Sequence, residues 1–440
     1  MKKLTLIVLA FITCYVNAQN TSYFMERLPQ SILLNPALNP KVKFYLGLPG
    51  IGGISTHAYN SGFNFNELDE FIDNLQQDGF NPDDFINSLD DYNNFLSETK
   101  VNLFMLGFML KDGGYFSFHT NINNVTTLNA ESDIIYLLSG YDDLSADKFP
   151  INIDEMNFLT NTYFSIGFTY SRKINENLTL GISPHLNSNL VGLQSKDINY
   201  VVDIDEPQSS YYGEYDETFK GEVVVGLPSE INPDAINGNE FDLNQGIISD
   251  EWGEELKISD LFRNKSLSID LGATYTLNEW FFSASILNIG ASGWKENGYV
   301  LSGDTETETI LVDDTQKIKI GIPPAVYLGV KRQFSPKWNY GLLFNNSFYN
   351  NRINSSATLS LNAYVGSAMS TSVSYTAGYK FDNLGLGLRL RFFPGMDLIF
   401  VTDNVIQAFK YKEAYRMAAT FGINLSFNVK NKIDLDESSM

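Results

Sequence analysis

The residues able to do chemistry are few and scattered. Three histidines, His57, His119 and His185, lie far apart in the chain, and its single cysteine is Cys14. Zinc-type sites gather His and Cys a few residues apart, so no tight metal-ligand spacing exists here. Each histidine reads as a member of a strand's polar face. Acidic runs at Asp203-Ile204-Asp205-Glu206, Glu214-Tyr215-Asp216-Glu217 and Asp313-Asp314 offer oxygen ligands of the kind hard cations take. They lack the regular spacing and the glycine of a calcium loop, which favours solvated loop charge, bridged to lipopolysaccharide by divalent ions, over a dedicated site. Arg389 and Arg391 stand two apart, on one face of an extended segment. Two readings are open for them: contacts to an anionic head group in a lumen, or a salt-bridge network with lumenal carboxylates. There is no Gly-Lys-Ser/Thr phosphate loop, no Gly-x-Ser-x-Gly elbow and no Ser/His/Asp arrangement in sequence. The expectation is a chain with no catalytic residues, no cofactor and no metal site, not an enzyme.

The elements that would carry these residues are strands. In Leu178, Leu180, Ile182, Pro184, Leu186 and Leu190 the apolar side chains take even positions, and Thr179, Ser183, His185, Asn187 and Asn189 take odd ones. Such period-two alternation gives one greasy and one polar face. It recurs in Phe164-Ile166-Phe168-Tyr170, Leu267-Ile269-Leu271-Ala273-Tyr275, Val373-Tyr375-Ala377-Tyr379, Leu384-Leu386-Leu388-Leu390-Phe392 and Phe421-Ile423-Leu425-Phe427. Short turns such as Lys111-Asp112-Gly113-Gly114, Asn278-Glu279 and Pro394-Gly395 alternate with long polar connections, notably 203–217 and 229–260. That layout, with charges (Asp270, Arg389, Arg391) on the polar face, is the pattern of a transmembrane barrel with a wet lumen. A soluble sandwich would show the same alternation with its greasy face inward. Gly422-Ile423-Asn424-Leu425-Ser426-Phe427 has the spacing of terminal strands that barrel-insertion machinery recognises.

Two segments depart from the strand pattern. Lys2 and Lys3, an apolar stretch from Leu4 to Val16, and Val16-Asn17-Ala18 read as a secretory signal peptide cleaved after Ala18. Between Asn66 and Leu96 the period becomes helical. Asn66 is the expected N-cap, with Leu68, Phe71, Ile72 and Leu75 on one face and Gly79 at the end; a second helix is expected from Asn81 with Pro82 at its first position. A further short helical insertion is expected over Asp133–Ser139. Among 440 residues, 52 acidic against 30 basic groups exclude a nucleic-acid partner, which needs a basic footprint.

A family resemblance is carried by Asn35-Pro36-Ala37-Leu38-Asn39-Pro40, Phe44-Tyr45-Leu46-Gly47-Leu48-Pro49-Gly50-Ile51 and Asn60-Ser61-Gly62-Phe63. It continues at Ile322-Pro323-Pro324-Ala325-Val326-Tyr327-Leu328-Gly329 and at Met396-Asp397-Leu398 with Thr402-Asp403-Asn404. These segments resemble a Gram-negative outer-membrane family classified only as a domain of unknown function. That family is similar to the long-chain fatty-acid transporter (FadL-type) barrels, and the Asn-Pro-Ala tripeptide is shared with barrel components of the type IX secretion machinery. The resemblance implies a 14-stranded barrel closed by an N-terminal hatch, with Asn35, Pro36 and Ala37 as a hatch turn.

The combined expectation is an all-β protein: a transmembrane antiparallel β-barrel of about 14 strands with an N-terminal hatch carrying short helices. Its divisions are a signal peptide over 1–18, a hatch region with the first strands and two short helices over 19–98, the barrel over 99–430 and a polar tail over 431–440. The cell outer membrane is the expected location, with outer-membrane lipid as partner. The expected role is binding or passing a hydrophobic or amphiphilic small molecule. The alternative is a structural or adaptor barrel with envelope protein partners, such as those of type IX secretion.

Overall fold

A computed structural model of the chain describes residues 19–74, 82–111, 113–139, 148–204, 215–228, 230, 232, 236–237, 240–241, 259, 262–304, 309–313, 317–349, 352–378, 383–393 and 395–429. The signal peptide, the polar tail, Leu75, Gly79, Asn81 and acidic residues Asp205, Glu206, Glu214 and Asp314 lie outside the described residues.

Strand formation follows the period-two pattern. The strands are β1 (Val42–Gly47), β2 (Gly53–Asn60), β3 (Tyr92–Met109), β4 (Tyr115–Glu131), β5 (Ile151–Lys173), β6 (Leu178–Ile204), β7 (Tyr215–Gly226), β8 (Ile236–Asn237) and β9 (Glu240–Phe241). They continue with β10 (Lys265–Leu277), β11 (Trp280–Trp294), β12 (Gly298–Asp304), β13 (Thr309–Asp313), β14 (Ile318–Gly321), β15 (Ala325–Ser335) and β16 (Trp338–Tyr349). The last are β17 (Arg352–Val365), β18 (Met369–Ala377), β19 (Asn383–Phe393), β20 (Met396–Thr402) and β21 (Arg416–Val429). Both β1 and β2 pair antiparallel with β3 on one side and β21 on the other, so together they fill one position in the wall. The ring then runs β3, β4, β5, β6, β10, β11, β15 to β21 and back, a closed antiparallel barrel of 14 strands.

The wall does not stop at the ring. β6 pairs with β10 up to Ser188 and with β7 from Gly192 onward, while β11 passes from β15 to β14 at Ala291. β7, β12, β13, β9 and β8 thus extend the same sheet beyond the ring from the long strand β6. Buried Trp294 packs with Val224, Ile318 and Ile320 at this junction. The short turns lie at one end of the ring, together with the end of β21; the long connections lie at the other.

The two faces are inverted relative to a soluble protein. Leu180, Ile182, Leu186, Leu271, Phe282, Leu328, Phe344, Leu359, Leu361, Val373 and Phe421 are exposed, whereas Ser117, Asn121, Ser165, Asn187, Ser285, Asn339, Thr358, Asn362, Ser372 and Asn424 are buried. Apolar residues outward and polar residues inward is the arrangement of a lipid-embedded barrel, not of a sandwich with a greasy core. No helix among the described residues is long and apolar enough to cross a membrane; the strands do so, and their 14 positions leave no open edge.

The helices are α1 (Gln19–Ser22), α2 (Phe65–Asn74), α3 (Asp83–Ser88), α4 (Ile134–Ser139) and α5 (Val405–Phe409). α2 starts one residue before the expected cap. Asn64, not Asn66, caps it: Asn64 Oδ1 accepts from the Asn66 and Glu67 N–H groups at 2.9 Å, and Glu67 Oε2 accepts from Asn64 N–H at 2.8 Å. This reciprocal pair is a capping box, which the Asn64-x-x-Glu67 spacing encodes and which outcompetes a lone Asn66. α2 and α3 connect β2 to β3 at the long-connection end, with Phe71 stacked on Phe85 at 4.5 Å, rather than lying in the lumen. The lumen is filled instead by residues 19–41.

An arginine placed on the outward face tests this orientation. Leu359→Arg, mid-strand in β17 and 56% exposed, is expected to destabilise the barrel by about 2–4 kcal/mol in lipid vesicles, measured by urea unfolding. An unchanged midpoint would mean that this face does not meet lipid.

Candidate functional site: a plugged lumen with a polar chamber

The segment 19–41 is apolar enough to bury and polar enough to satisfy the wall around it. Tyr23 stacks on Tyr327 at 5.7 Å and donates to Ser283 Oγ at 3.2 Å. Tyr23, Phe24 and Leu34 form a cluster with Leu287, Ala325 and Leu343 of the wall. Buried polar groups on both sides must be paired, and most are. The Thr21 N–H donates to Asp403 Oδ1 at 2.9 Å, Ser285 Oγ donates to the Leu34 carbonyl at 2.7 Å, and Ser171 Oγ donates to Asn39 Oδ1 at 2.5 Å.

Asn35, Pro36 and Ala37 form the turn that seats this plug. Asn35 is fully buried. Its Oδ1 accepts from the Ala37 N–H at 2.9 Å, closing the turn, and its Nδ2 donates to Tyr23 Oη at 3.1 Å and to the Ala284 carbonyl at 3.2 Å. The turn lies against Gly181 of β6 and Gly272 of β10, which face each other directly in the wall. A Cβ on Gly181 would stand 2.3 Å from the Pro36 carbonyl carbon, and one on Gly272 would stand 2.1 Å from Asn35 Oδ1. Two adjacent glycines thus make the flat spot on which the turn rests.

Charge holds the same segment. Glu26 pairs with Lys331 of β15. Burial alone would raise the Glu26 carboxyl, but Lys331 and Lys41 together hold it below its ordinary value of 4.5. Arg27, buried, lies over the Tyr364 ring at 5.1 Å and donates to the Gly366 carbonyl. Arg389 and Arg391 come together on one carboxylate. Arg389 Nη2 and Arg391 Nε donate to Asp397 Oδ1 at 2.8 and 2.9 Å, and Arg391 Nη2 also donates to the Ser426 carbonyl at 3.0 Å. Asp397 sits directly opposite Arg391 in the β19–β20 register, so the structure shows an ion-pair cluster at these two arginines.

Between the plug and the long connections is a chamber of roughly 140 Å³, lined by Asn, Ser and several charged groups together with leucine and tyrosine side chains. Arg416 Nε donates to His57 Nε2 at 3.1 Å and Arg416 Nη2 approaches Asp403 Oδ2 at 3.5 Å. Tyr349 Oη donates to Glu98 Oε1 at 2.8 Å. On the facing wall His185 Nε2 meets Asp270 Oδ2 at 2.8 Å, and the rings of His119 and His185 stand 5.3 Å apart. Among the described residues no three His, Cys, Asp or Glu side chains converge on a metal-sized point.

All three histidines face inward, as their strand parity requires, but sequence separation hid what they meet. Asp403 was legible only as part of a Thr-Asp-Asn segment; its role as the acceptor for both the plug and Arg416 depends on β20 and α1 meeting in space.

The profile of a family of unknown function, DUF5723, matches residues 36–319 and 304–403. No curated protein matches the chain. Among solved structures it is similar to the Ralstonia pickettii toluene transporter TbuX (10% identity, TM-score 0.43, covering 93% of this chain and 98% of that one). A Pseudomonas aeruginosa FadL homologue (10%, 0.42, 94% and 99%) and the Pseudomonas putida toluene transporter TodX (10%, 0.39, 93% and 97%) are similar to the same extent.

Two perturbations should release the plug without opening the ring. Gly272→Val pushes a side chain into the Asn-Pro-Ala turn; the expected result is rapid trypsin cleavage after Arg27 while the barrel stays resistant and heat-modifiable on gels. Acid acts on Glu26. A carboxyl depressed in the folded state stabilises above its unfolded value and loses that contribution as pH falls through the folded one. Protection at Arg27 is therefore expected to hold above pH 4.5 and to fall in more acid buffer; equal protection across this range would remove Glu26 as an anchor.

Proposed function

The chain belongs to the DUF5723 family, a family of unknown function, and we propose that it is an outer-membrane barrel that binds or passes a small amphiphilic molecule through its lumen. The observation that carries this reading is the plug. Residues 19–41 occupy the lumen without being part of the ring, seated by side-chain contacts and one ion pair. A segment held this way can leave while every strand pairing stays intact. Capture begins at the long-connection end, where Tyr59, Phe63, Leu68 and Met417 line a small apolar groove. The polar end of the molecule is then accommodated by the Asn- and Ser-rich chamber, and displacement of the plug at the Gly181/Gly272 seat opens the way to the turn end.

A second reading has its own support. β5 and β6, of 23 and 27 residues, greatly exceed the ~9–11 residues that cross a bilayer. The sheet they carry extends beyond the lipid and offers a surface to an envelope protein, as an adaptor barrel would.

A locked plug separates the two. A Cβ on Gly385 would stand 2.2 Å from Thr21 Oγ1, so Thr21→Cys with Gly385→Cys is placed to form a disulfide, and the only natural cysteine is Cys14. In proteoliposomes, uptake of radiolabelled laurate is expected to stop in the oxidised variant and to return on reduction. Uptake unaffected by the lock, or absent from the unmodified protein, would favour the adaptor, which stoichiometric co-purification with an envelope protein would then establish.

A further inference from the structure

The chamber wall carries an arrangement of residues that passage does not use. Ser165 of β5, His185 of β6 and Asp270 of β10 lie on three strands, each on the inner face. They are linked by register: Asn187, two residues from His185, is directly opposite Ser165, and Ser268, two residues from Asp270, is directly opposite His185. Inner-face neighbours on this diagonal are within side-chain reach. Asp270 is fixed first. Its Oδ1 accepts the Asn288 N–H at 2.7 Å and its Oδ2 meets His185 Nε2 at 2.8 Å. A carboxylate only accepts, so Nε2 carries the imidazole proton and Nδ1 presents its lone pair. That lone pair is 3.4 Å from Ser165 Oγ, a separation normal for a nucleophile and base without substrate. All three are more than 90% buried and all three line the chamber.

A hydrogen-bond donor for developing negative charge stands beside them. Asn121 of β4 is directly opposite Ser165. Its Oδ1 already accepts from Asn102 Nδ2 at 2.8 Å, which leaves its amide N–H groups as donors.

From this geometry we infer that the barrel has a second, hydrolytic capacity: Ser165, His185 and Asp270 form a nucleophile, base and positioning residue for cleaving carboxylic esters that enter the chamber. Ser165 Oγ attacks the ester carbonyl carbon as its proton passes to His185 Nδ1, and the oxyanion forms near the Asn121 amide. Collapse breaks the carbonyl C–O bond, and the leaving alcohol takes the proton from His185. Water, giving a proton to the same nitrogen, then attacks the acyl-serine and releases the carboxylic acid, returning the proton to Ser165. Asp270 holds the imidazole in the productive tautomer throughout. The roles define such a triad whichever ring nitrogen serves the serine. The inference needs the chamber to admit small molecules and does not depend on the plug moving.

The test uses the full mature barrel in detergent micelles, its folding checked by heat-dependent gel mobility, treated with a small alkyne-tagged fluorophosphonate. The expected result is one adduct, mapped by mass spectrometry to Ser165, absent in Ser165→Ala. His185→Gln should lower the labelling rate roughly a hundredfold. Asp270→Asn, if Asp270 is a positioning residue, should lower the rate yet leave Ser165 the labelled site. Hydrolysis of p-nitrophenyl butyrate should follow the same order of variants. A folded barrel with no adduct at Ser165, or with equal labelling in His185→Gln, would overturn the inference. Both readouts are made without a membrane, so failure of laurate uptake leaves them unaffected.

Discussion

Everything in this molecule depends on one pairing: the first strand position, shared by β1 and β2, closes against β21 at the end of the chain. A sheet in lipid with an open edge leaves backbone N–H and C=O groups unsatisfied at several kcal/mol each, so the ring must close. Closure fixes which face of each strand meets lipid and which meets the lumen. Phe44 lies opposite Phe427 outside, while Asn424 and Ser426 are buried inside. The Leu48–Gly52 interruption between β1 and β2 is accommodated because both pieces keep the same two neighbours.

A polar interior created in this way has to be filled. Water is one solution; this chain also uses its own first residues. The plug matches the wall by type: rings on Tyr327, an amide turn on two glycines, Glu26 on Lys331. None of these contacts belongs to the hydrogen-bonded ring, which is the physical basis for reading the segment as a gate. The cluster of Arg389, Arg391 and Asp397 shows the opposite behaviour. Its three charges sit on adjacent ring strands, with Asp397 fully buried between the arginines, so it braces the wall.

A wall of inward polar side chains also brings distant residues into chemical contact. Cross-strand diagonals join Ser165, His185 and Asp270, and the meeting of β20 with α1 makes Asp403 an acceptor for both Thr21 and Arg416. Because the surrounding groups are fixed by the ring, these contacts are pre-organised, which is what distinguishes a chemical site from a merely polar surface.

The alternation in Leu178 to Leu190, the turns at Asn278-Glu279 and the final Gly422–Phe427 strand marked antiparallel strands with one greasy and one polar face, because alternation is a local property; that the greasy face is the outer one came only with the closed ring. The Asn35-Pro36-Ala37 turn was visible too, and so was the helical period after residue 64, although the Asn64–Glu67 capping box moved its start. Register is not local. It was invisible that Gly181 would face Gly272, that Arg391 would face Asp397, or that His185 would fall on diagonals to Ser165 and Asp270. The sequence alone determined which side chains share a face; only the tertiary structure decided that the polar face is the inner one and which of its side chains meet, since that depends on how the ring closes and how far each strand is shifted along its neighbour.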